Sequence, residues 1–93
     1  MPYTLIYHPY VRNKDIPAIS QNLRDRIARA IDTRLTGAPE RYGKPLRATL
    51  KGYWRLRIGD YRVIFKVVRN EVWVLGIVHR REVYEKILKR LVV

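Results

Sequence analysis

Hydrophobic residues in the first half of the chain recur mainly at helical spacing. Before that pattern begins, Tyr3–Tyr7 is rich in β-forming residues and precedes Pro9, which predicts a first strand. A short helical turn is predicted over Asp15–Ile19, because Asp is a common N-cap and Pro17 fits a first turn. Ser20 is predicted to cap a longer helix. The apolar face of that helix comprises Leu23, Ile27, Ala30, Ile31 and Leu35.

The spacing changes to strict alternation in the second half. Gly37 and Pro39 end the helix, and the stretch 37–45, GAPERYGKP, is predicted to be a loop. Leu46–Leu50 is a possible short strand. Three stronger strands, joined by two-residue turns, are predicted over Tyr53–Ile58, Tyr61–Val68 and Glu71–Val78. A closing helix is predicted over Glu82–Leu91, where apolar residues return to helical spacing.

These elements follow one another in the order β-α-α-β-β-β-α. The chain has 93 residues, which is enough for one compact domain over residues 1–93 and too few for two. Tight turns between consecutive strands make neighbouring strands antiparallel. We therefore predict an α+β fold with a small antiparallel-rich sheet and helices packed on one face.

The Gly59-Asp60 turn fixes the register of the central hairpin. Ile58 then pairs with Tyr61, and Arg57 lies directly opposite Arg62. Like charges in a cross-strand pair destabilise a sheet by up to about 1 kcal/mol. The pair is therefore better explained by an anion that bridges the two guanidiniums than by a contribution to stability. The simpler alternative is that both side chains extend into water. If the pair serves binding, replacing both arginines with alanine should leave the fold intact and abolish activity.

Charge strengthens the case for a polyanionic partner. The chain has 20 Lys and Arg against 8 Asp and Glu, a net charge of +12, and 14 of the basic residues fall in residues 41–93. A solubilising surface is the alternative, but so large an imbalance favours nucleic acid or the ribosome. We also expect an acidic partner that holds so basic a protein before use.

Composition excludes several other classes of protein. There is no cysteine, which excludes a disulfide scaffold and thiol catalysis. The two histidines and scattered carboxylates do not form a metal-binding pattern, and neither a metal nor another cofactor is expected. No apolar stretch is long enough to span a bilayer, and the N-terminus does not resemble a signal peptide. We expect a cytoplasmic protein.

Two segments carry a resemblance to a known family. GKPLRATLKGYWRLRIGDYRVIFKV, followed by VLGIVHRREVY, resembles the RelE/ParE superfamily of toxin–antitoxin toxins, and the likeness extends over nearly the whole chain. It implies a RelE-like fold, an acidic antitoxin partner in a hetero-oligomer, and no metal. RelE-like members cut mRNA in the ribosomal A site by attack of a 2′-hydroxyl on the adjacent phosphate, whereas ParE-like members poison DNA gyrase. The RelE-like activity is the leading interpretation. The alternatives are a gyrase inhibitor and a catalytically weak nucleic-acid-binding module.

The resemblance also implies roles for individual residues. Arg62 and Arg80 would stabilise the charge on the phosphorane, and Tyr84 would orient or stack the RNA. RNA-binding residues would be Arg55, Arg57, Lys51, Lys66 and Arg81.

One match to the family is also a departure from it. Arg55 and Arg57 stand where relatives often have lysine, and arginine effectively cannot give up its proton. His79 is therefore a candidate general base, although a surface histidine is an equally good interpretation. Simple alternation places Arg80 on the face opposite Arg62. A catalytic role for both requires a bend or bulge near Gly76–His79.

Overall fold

The computed structural model describes residues 2–91, which form a five-stranded sheet with two sets of helices. The strands are β1 (Thr4–Tyr7), β2 (Lys44–Pro45), β3 (Trp54–Ile58), β4 (Tyr61–Val68) and β5 (Glu71–His79). Their spatial order is β1-β5-β4-β3-β2. β1 is parallel to β5, and the other neighbouring pairs are antiparallel. The predicted α+β class and antiparallel-rich sheet are confirmed.

The helices differ in length and regularity. They are α1 (Gln21–Ala30), which continues as a π-helical turn over Ile31–Leu35, a short α2 (Pro39–Tyr42) and α3 (Val83–Leu91). Irregular helical turns lie at Val11–Asp15, Ile16–Ala18, Ala48–Leu50 and Arg80–Glu82. Ser20 is the N-cap of α1 as predicted, but its side chain makes no capping hydrogen bond. Within residues 2–91, no helix is long and apolar enough to cross a membrane.

The connection between α1 and β3 differs from the prediction. The predicted loop over 37–45 contains α2, which Pro39 begins, and the two residues of β2. The predicted strand over Leu46–Leu50 is wrong, because a 3₁₀ turn occupies Ala48–Leu50. Leu46 and Leu50 are both buried in the same apolar cluster, a burial that a strand with this spacing would also allow, so the hydrophobic pattern did not distinguish the turn from a strand.

Helices cover both faces of the sheet. α1 and its π-helical extension bury Ile27, Ile31 and Leu35 against a cluster that includes Val63 and Phe65 of β4. α3 buries Ile87 in a second cluster with Ile64. Since Ile64 alternates with Val63 and Phe65, it points to the other face. The prediction that all helices pack on one face is therefore wrong for α3, which covers the face that carries Arg62.

A buried ion pair fixes α3 to the sheet. The Arg90 guanidinium contacts both Asp15 carboxylate oxygens, at 2.6 and 2.7 Å, and donates to the Leu75 carbonyl at 2.8 Å. Asp15 also accepts the Ile77 N–H at 2.9 Å. Asp15 was predicted to cap a helical turn, but its side chain makes no cap hydrogen bond. It is one of the buried charged residues and joins three elements instead.

Candidate functional site

An open basic groove lies where β2, β3, β4 and the start of α3 meet. Its volume is about 500 Å³. Four residues proposed from the sequence line it, namely Arg55, Arg62, Arg80 and Tyr84. The other lining residues are Lys44, Pro45, Leu46, Arg47 and Val83. Among the described residues that line this groove, hereafter the arginine groove, none is a carboxylate or a histidine.

A β-bulge brings Arg80 to the same face as Arg62. Phe65 pairs with Val74, but the next pair is Ile64 with Gly76, so Leu75 is an extra residue in β5. The shift places Val78 opposite Arg62, and Arg80 follows Val78 by two residues on the same face. The bulge required by the sequence argument is thus present, one residue before the interval where it was expected.

Arg62 is held against the hairpin turn. Its Nη1 donates to the carbonyls of Gly59 and Tyr61, at 3.0 and 2.9 Å. Only 7% of the residue is exposed. Burial lowers the pKa of Arg62 from its ordinary value, and the neighbouring Arg57, Arg55 and Arg80 lower it further, against an opposing effect of Asp60. The predicted pairing of Arg57 opposite Arg62 is confirmed.

Arg80 and Tyr84 enter the arginine groove from the chain that follows β5. The Arg80 N–H donates to the Asp60 carbonyl at 2.8 Å, and its side chain lies 3.8 Å from the Asp60 carboxylate. This fastens the start of the 3₁₀ turn to the β3–β4 turn. Tyr84 lies in the first turn of α3 with its residue 46% exposed. Its neighbour Val83 is buried, which anchors this end of the helix.

The structure does not bring every predicted site residue to the arginine groove. Arg57 is exposed next to Arg62 but is absent from the lining. Lys66 lies farther along β4, with its ammonium 5.4 Å from the centre of the Tyr53 ring. Lys51 and Arg81 are exposed and also lie outside the groove lining.

His79 lies on the opposite side of the sheet. It pairs with Tyr61, their rings meet edge to face at 5.8 Å between centres, and its Nδ1 accepts the Arg81 N–H at 3.2 Å. It lines a different cavity, together with Asp15 and Arg90. His79 therefore lies outside the arginine groove, and its role as a general base stays a prediction.

Sequence reasoning missed Lys44 and Arg47. β2 has only two residues, and Lys44 pairs with Arg55 across the β2–β3 ladder. Assigning 37–45 to a loop hid that pairing. The available signal was the basic KPLR stretch directly before the arginine hairpin.

Comparisons with known proteins agree with this fold. The family model described as ParE toxin of type II toxin-antitoxin system, parDE, matches residues 2–84. Toxin RelG of Mycobacterium tuberculosis H37Rv is 28% identical over 88 residues, which cover 92% of this chain and 100% of RelG.

Solved structures show the same architecture. The toxin–antitoxin complex RelBE2 of M. tuberculosis contains a chain with a TM-score of 0.78 and 28% identity, covering 86% of this chain and 93% of that one. An arginine-to-alanine double mutant of Escherichia coli toxin RelE in the free state has a TM-score of 0.73 at 18% identity, covering 99% and 100% of the two chains. At 18% identity, the likeness to E. coli RelE shows only that the two chains share a fold.

The family match and the fold together define the class as a toxin of a type II toxin–antitoxin system. The chain belongs to the ParE toxin family, within the RelE/ParE superfamily.

Proposed function

We propose that this toxin is a ribosome-dependent mRNA endonuclease and that the arginine groove is its active site. The observation that carries the proposal is the grouping of Arg55, Arg62 and Arg80 with Tyr84 in one open groove. Three guanidiniums around a cleft match the charge and fork geometry of a phosphodiester. An exposed tyrosine at the edge of the same cleft can stack on an unpaired base.

The proposed reaction is an intramolecular transfer at phosphorus. The RNA 2′-oxygen attacks the adjacent phosphorus, the P–O2′ bond forms, and the P–O5′ bond breaks. The 2′-hydroxyl loses its proton and the 5′-oxygen gains one, which leaves a 2′,3′-cyclic phosphate and a 5′-hydroxyl. Arg62, fixed by the backbone of its own turn, offers a preorganised positive charge to the developing phosphorane.

Proton transfer falls to the groove side chains that can exchange a proton. Arginine is unsuited because it stays protonated in proteins. Among the described lining residues, Lys44 and Tyr84 have side chains that can act as a general acid or base. We assign the proton transfers to them. Arg47 adds a further positive charge at the β2 end of the groove.

A second candidate function rests on the family model itself. That model describes a ParE toxin, and the resemblance to ParE-like toxins implies DNA gyrase as the target. The arginine groove favours the nuclease, because inhibition of gyrase by docking gives no reason to place three arginines and a tyrosine around one cleft.

We further propose that an acidic antitoxin holds the toxin before use. RelBE2 and the RelB–RelE complex of Methanococcus jannaschii are toxin–antitoxin complexes with chains of this fold. A net charge of +12 favours an acidic partner laid over the arginines, and the complex would be a cytoplasmic hetero-oligomer.

Mapping of mRNA 5′ ends after induction tests the function. We expect new 5′ ends within translated codons, dependent on translation, and a loss of about 100-fold or more in Arg62→Ala and in Arg80→Ala. Arg80 is the cleaner variant because its side chain is 51% exposed and its removal leaves the core intact. Arg12→Ala, an exposed arginine in a turn after β1, is the matched control and should cleave normally. Intact mRNA with trapped gyrase–DNA complexes would instead support the second candidate.

A further inference from the structure

A second basic groove lies on α1, away from the arginine groove. Its volume is about 550 Å³. Its lining contains three arginines, Arg26, Arg29 and Arg34, together with Ala30, Thr33 and Ile58. Ile58 belongs to the apolar cluster beneath α1, so this groove opens on the sheet face opposite Arg62. We call it the α1 groove.

Charge on α1 is divided between its two flanks. Asp25 lines the cavity on the β1 side of the helix and accepts a hydrogen bond from Gln21 at 3.1 Å. Asp32 lies near Tyr7 of β1, where burial first and then the Asp32 charge raise the pKa of the tyrosine. Neither carboxylate lines the α1 groove. The acidic side chains therefore face β1 together with Arg24, whereas Arg26, Arg29 and Arg34 lie on the opposite flank.

The three arginines of the α1 groove are not neutralised within the described chain. Asp25 and Asp32 are four and three residues from Arg29, spacings that permit an ion pair on a helix, but neither makes one with it. Across residues 2–91, no carboxylate lies within ion-pair distance of Arg26 or Arg34 either. Arg34 instead lies over the Tyr42 ring, 5.9 Å from its centre. Uncompensated like charges on one flank destabilise the helix. An external anion bound at this flank would relieve that repulsion.

The β3–β4 turn connects the two basic surfaces. Arg26 Nη1 lies 3.7 Å from the position that a Cβ on Gly59 would occupy. From the other face, Arg62 donates to the carbonyl of the same glycine. One turn thus has a guanidinium on each side. The molecule measures only 32 × 32 × 22 Å, so both grooves lie within reach of one large folded RNA.

We propose that the α1 groove is a second RNA-binding surface that holds the phosphate backbone of folded RNA while the arginine groove takes the strand to be cut. Arginine forks suit phosphate oxygens, and Thr33 at the groove leaves its hydroxyl bonded to its own helix, to the Arg29 carbonyl at 2.8 Å. The groove therefore offers positively charged donors and few other hydrogen-bonding groups. Recognition should follow the shape of the RNA backbone and not its sequence. The proposal rests on the proposed function in taking the RNA to be ribosomal.

Binding of the full-length toxin to vacant ribosomes tests this proposal without relying on cleavage. The test variant is Arg26→Gln, Arg29→Gln and Arg34→Gln combined. The control combines Arg12→Gln, Lys14→Gln and Arg69→Gln, three exposed residues elsewhere, so both variants lose the same net charge. We expect the α1-groove variant to bind about 10-fold or more weakly at physiological salt. The magnitude of the slope of log affinity against log salt should fall by about 2 to 3, as for the loss of three phosphate contacts.

The outcomes separate this inference from the proposed function. If wild type binds ribosomes and both variants weaken equally, net charge explains the effect and the α1 groove is not a site. If the α1-groove variant binds ribosomes normally but loses affinity for the antitoxin, the partner of this surface is a protein and the proposal is overturned. If wild type itself does not bind ribosomes, the proposed function fails first. In that case binding to an isolated RNA duplex, with the same two variants, decides whether the groove binds RNA.

Discussion

Arg57 and Arg62 form one cross-strand pair, but they have different environments. Arg57 is exposed, whereas Arg62 is buried and hydrogen-bonded to two carbonyls of its own turn. Removing Arg57 relieves like-charge repulsion and removes little packing. Removing Arg62 takes away two charge-assisted hydrogen bonds, whose loss costs about 1–3 kcal/mol.

We therefore predict opposite effects of the two alanine substitutions on the free energy of unfolding. Arg57→Ala should leave stability unchanged or raise it by up to about 1 kcal/mol. Arg62→Ala should lower it by about 1–3 kcal/mol. Urea denaturation of each variant measures this. Equal effects of the two substitutions would mean that the turn does not hold Arg62 as described.

The hairpin shows what a sequence can determine at this scale. A two-residue turn fixes register, so the pairing of Arg57 with Arg62 followed from the sequence alone. The conformation of a long side chain does not follow from register. The return of Arg62 to Gly59 is a side-chain conformation within its own turn, and His79 lies on the opposite face because the bulge in β5 shifts the register.

At the scale of elements, α3 is fixed by the Asp15–Arg90 pair, and this contact sets the position of Tyr84. The two side chains are 3% and 5% exposed. Breaking a buried pair by removing one partner leaves an uncompensated charge, at a cost of about 3–5 kcal/mol. It would also leave the Ile77 N–H without its acceptor.

We predict that Asp15→Ala lowers the free energy of unfolding by about 3–5 kcal/mol. Combining Asp15→Leu with Arg90→Met should cost less, because it leaves no buried charge. Thermal unfolding of the single and double variants makes the comparison. A double variant less stable than Asp15→Ala would show that the ion pair is not what makes the single substitution costly.

The bulge in β5 also depends on close packing against α3. A Cβ on Gly76 would lie 2.5 Å from Ile87 Cδ1 and 2.7 Å from Arg90 Nη1, closer than side chains approach. Gly37 offers a matched control, since a Cβ there meets only the Thr33 carbonyl at 3.6 Å.

We predict that Gly76→Ala lowers the free energy of unfolding by about 1–3 kcal/mol, because the buried ends of Ile87 and Arg90 must shift and with them the packing of α3 on the sheet. Gly37→Ala should change it by less than about 0.5 kcal/mol. Displacement of α3 should also weaken RNA cleavage through Tyr84. If both alanine variants unfold at the same urea concentration, the predicted difference between Gly76 and Gly37 is wrong.

Elements whose hydrophobic residues recur at a regular spacing were predictable from the sequence, and elements without such a spacing were not. β4 has the predicted bounds, and α3 begins one residue after the predicted start. The segment 37–50 was misassigned because Pro39 can begin a helix as well as interrupt one, and a two-residue strand has no period. Lys44 and Arg47 were missed for that reason.

At the scale of the whole molecule, eight of the 20 basic residues line two grooves on opposite faces of the sheet. One groove has an aromatic side chain and residues that exchange protons. Among its described lining residues, the α1 groove has three arginines but no tyrosine or lysine. This division fits the proposed function, in which the toxin binds a large RNA assembly and cuts one strand of it.

We propose that the arginine groove promotes attack by a 2′-oxygen on the adjacent phosphate, and a 2′-deoxy substrate tests this proposal. Purified ribosomes are programmed with an mRNA that carries a single 2′-deoxy substitution at the nucleotide 5′ to the cleavage point. An otherwise identical all-ribose mRNA is the control. We predict single-turnover cleavage of the control to a 2′,3′-cyclic phosphate and a 5′-hydroxyl, and no cleavage at the substituted position. Cleavage of the 2′-deoxy mRNA at the same position and rate would contradict the account.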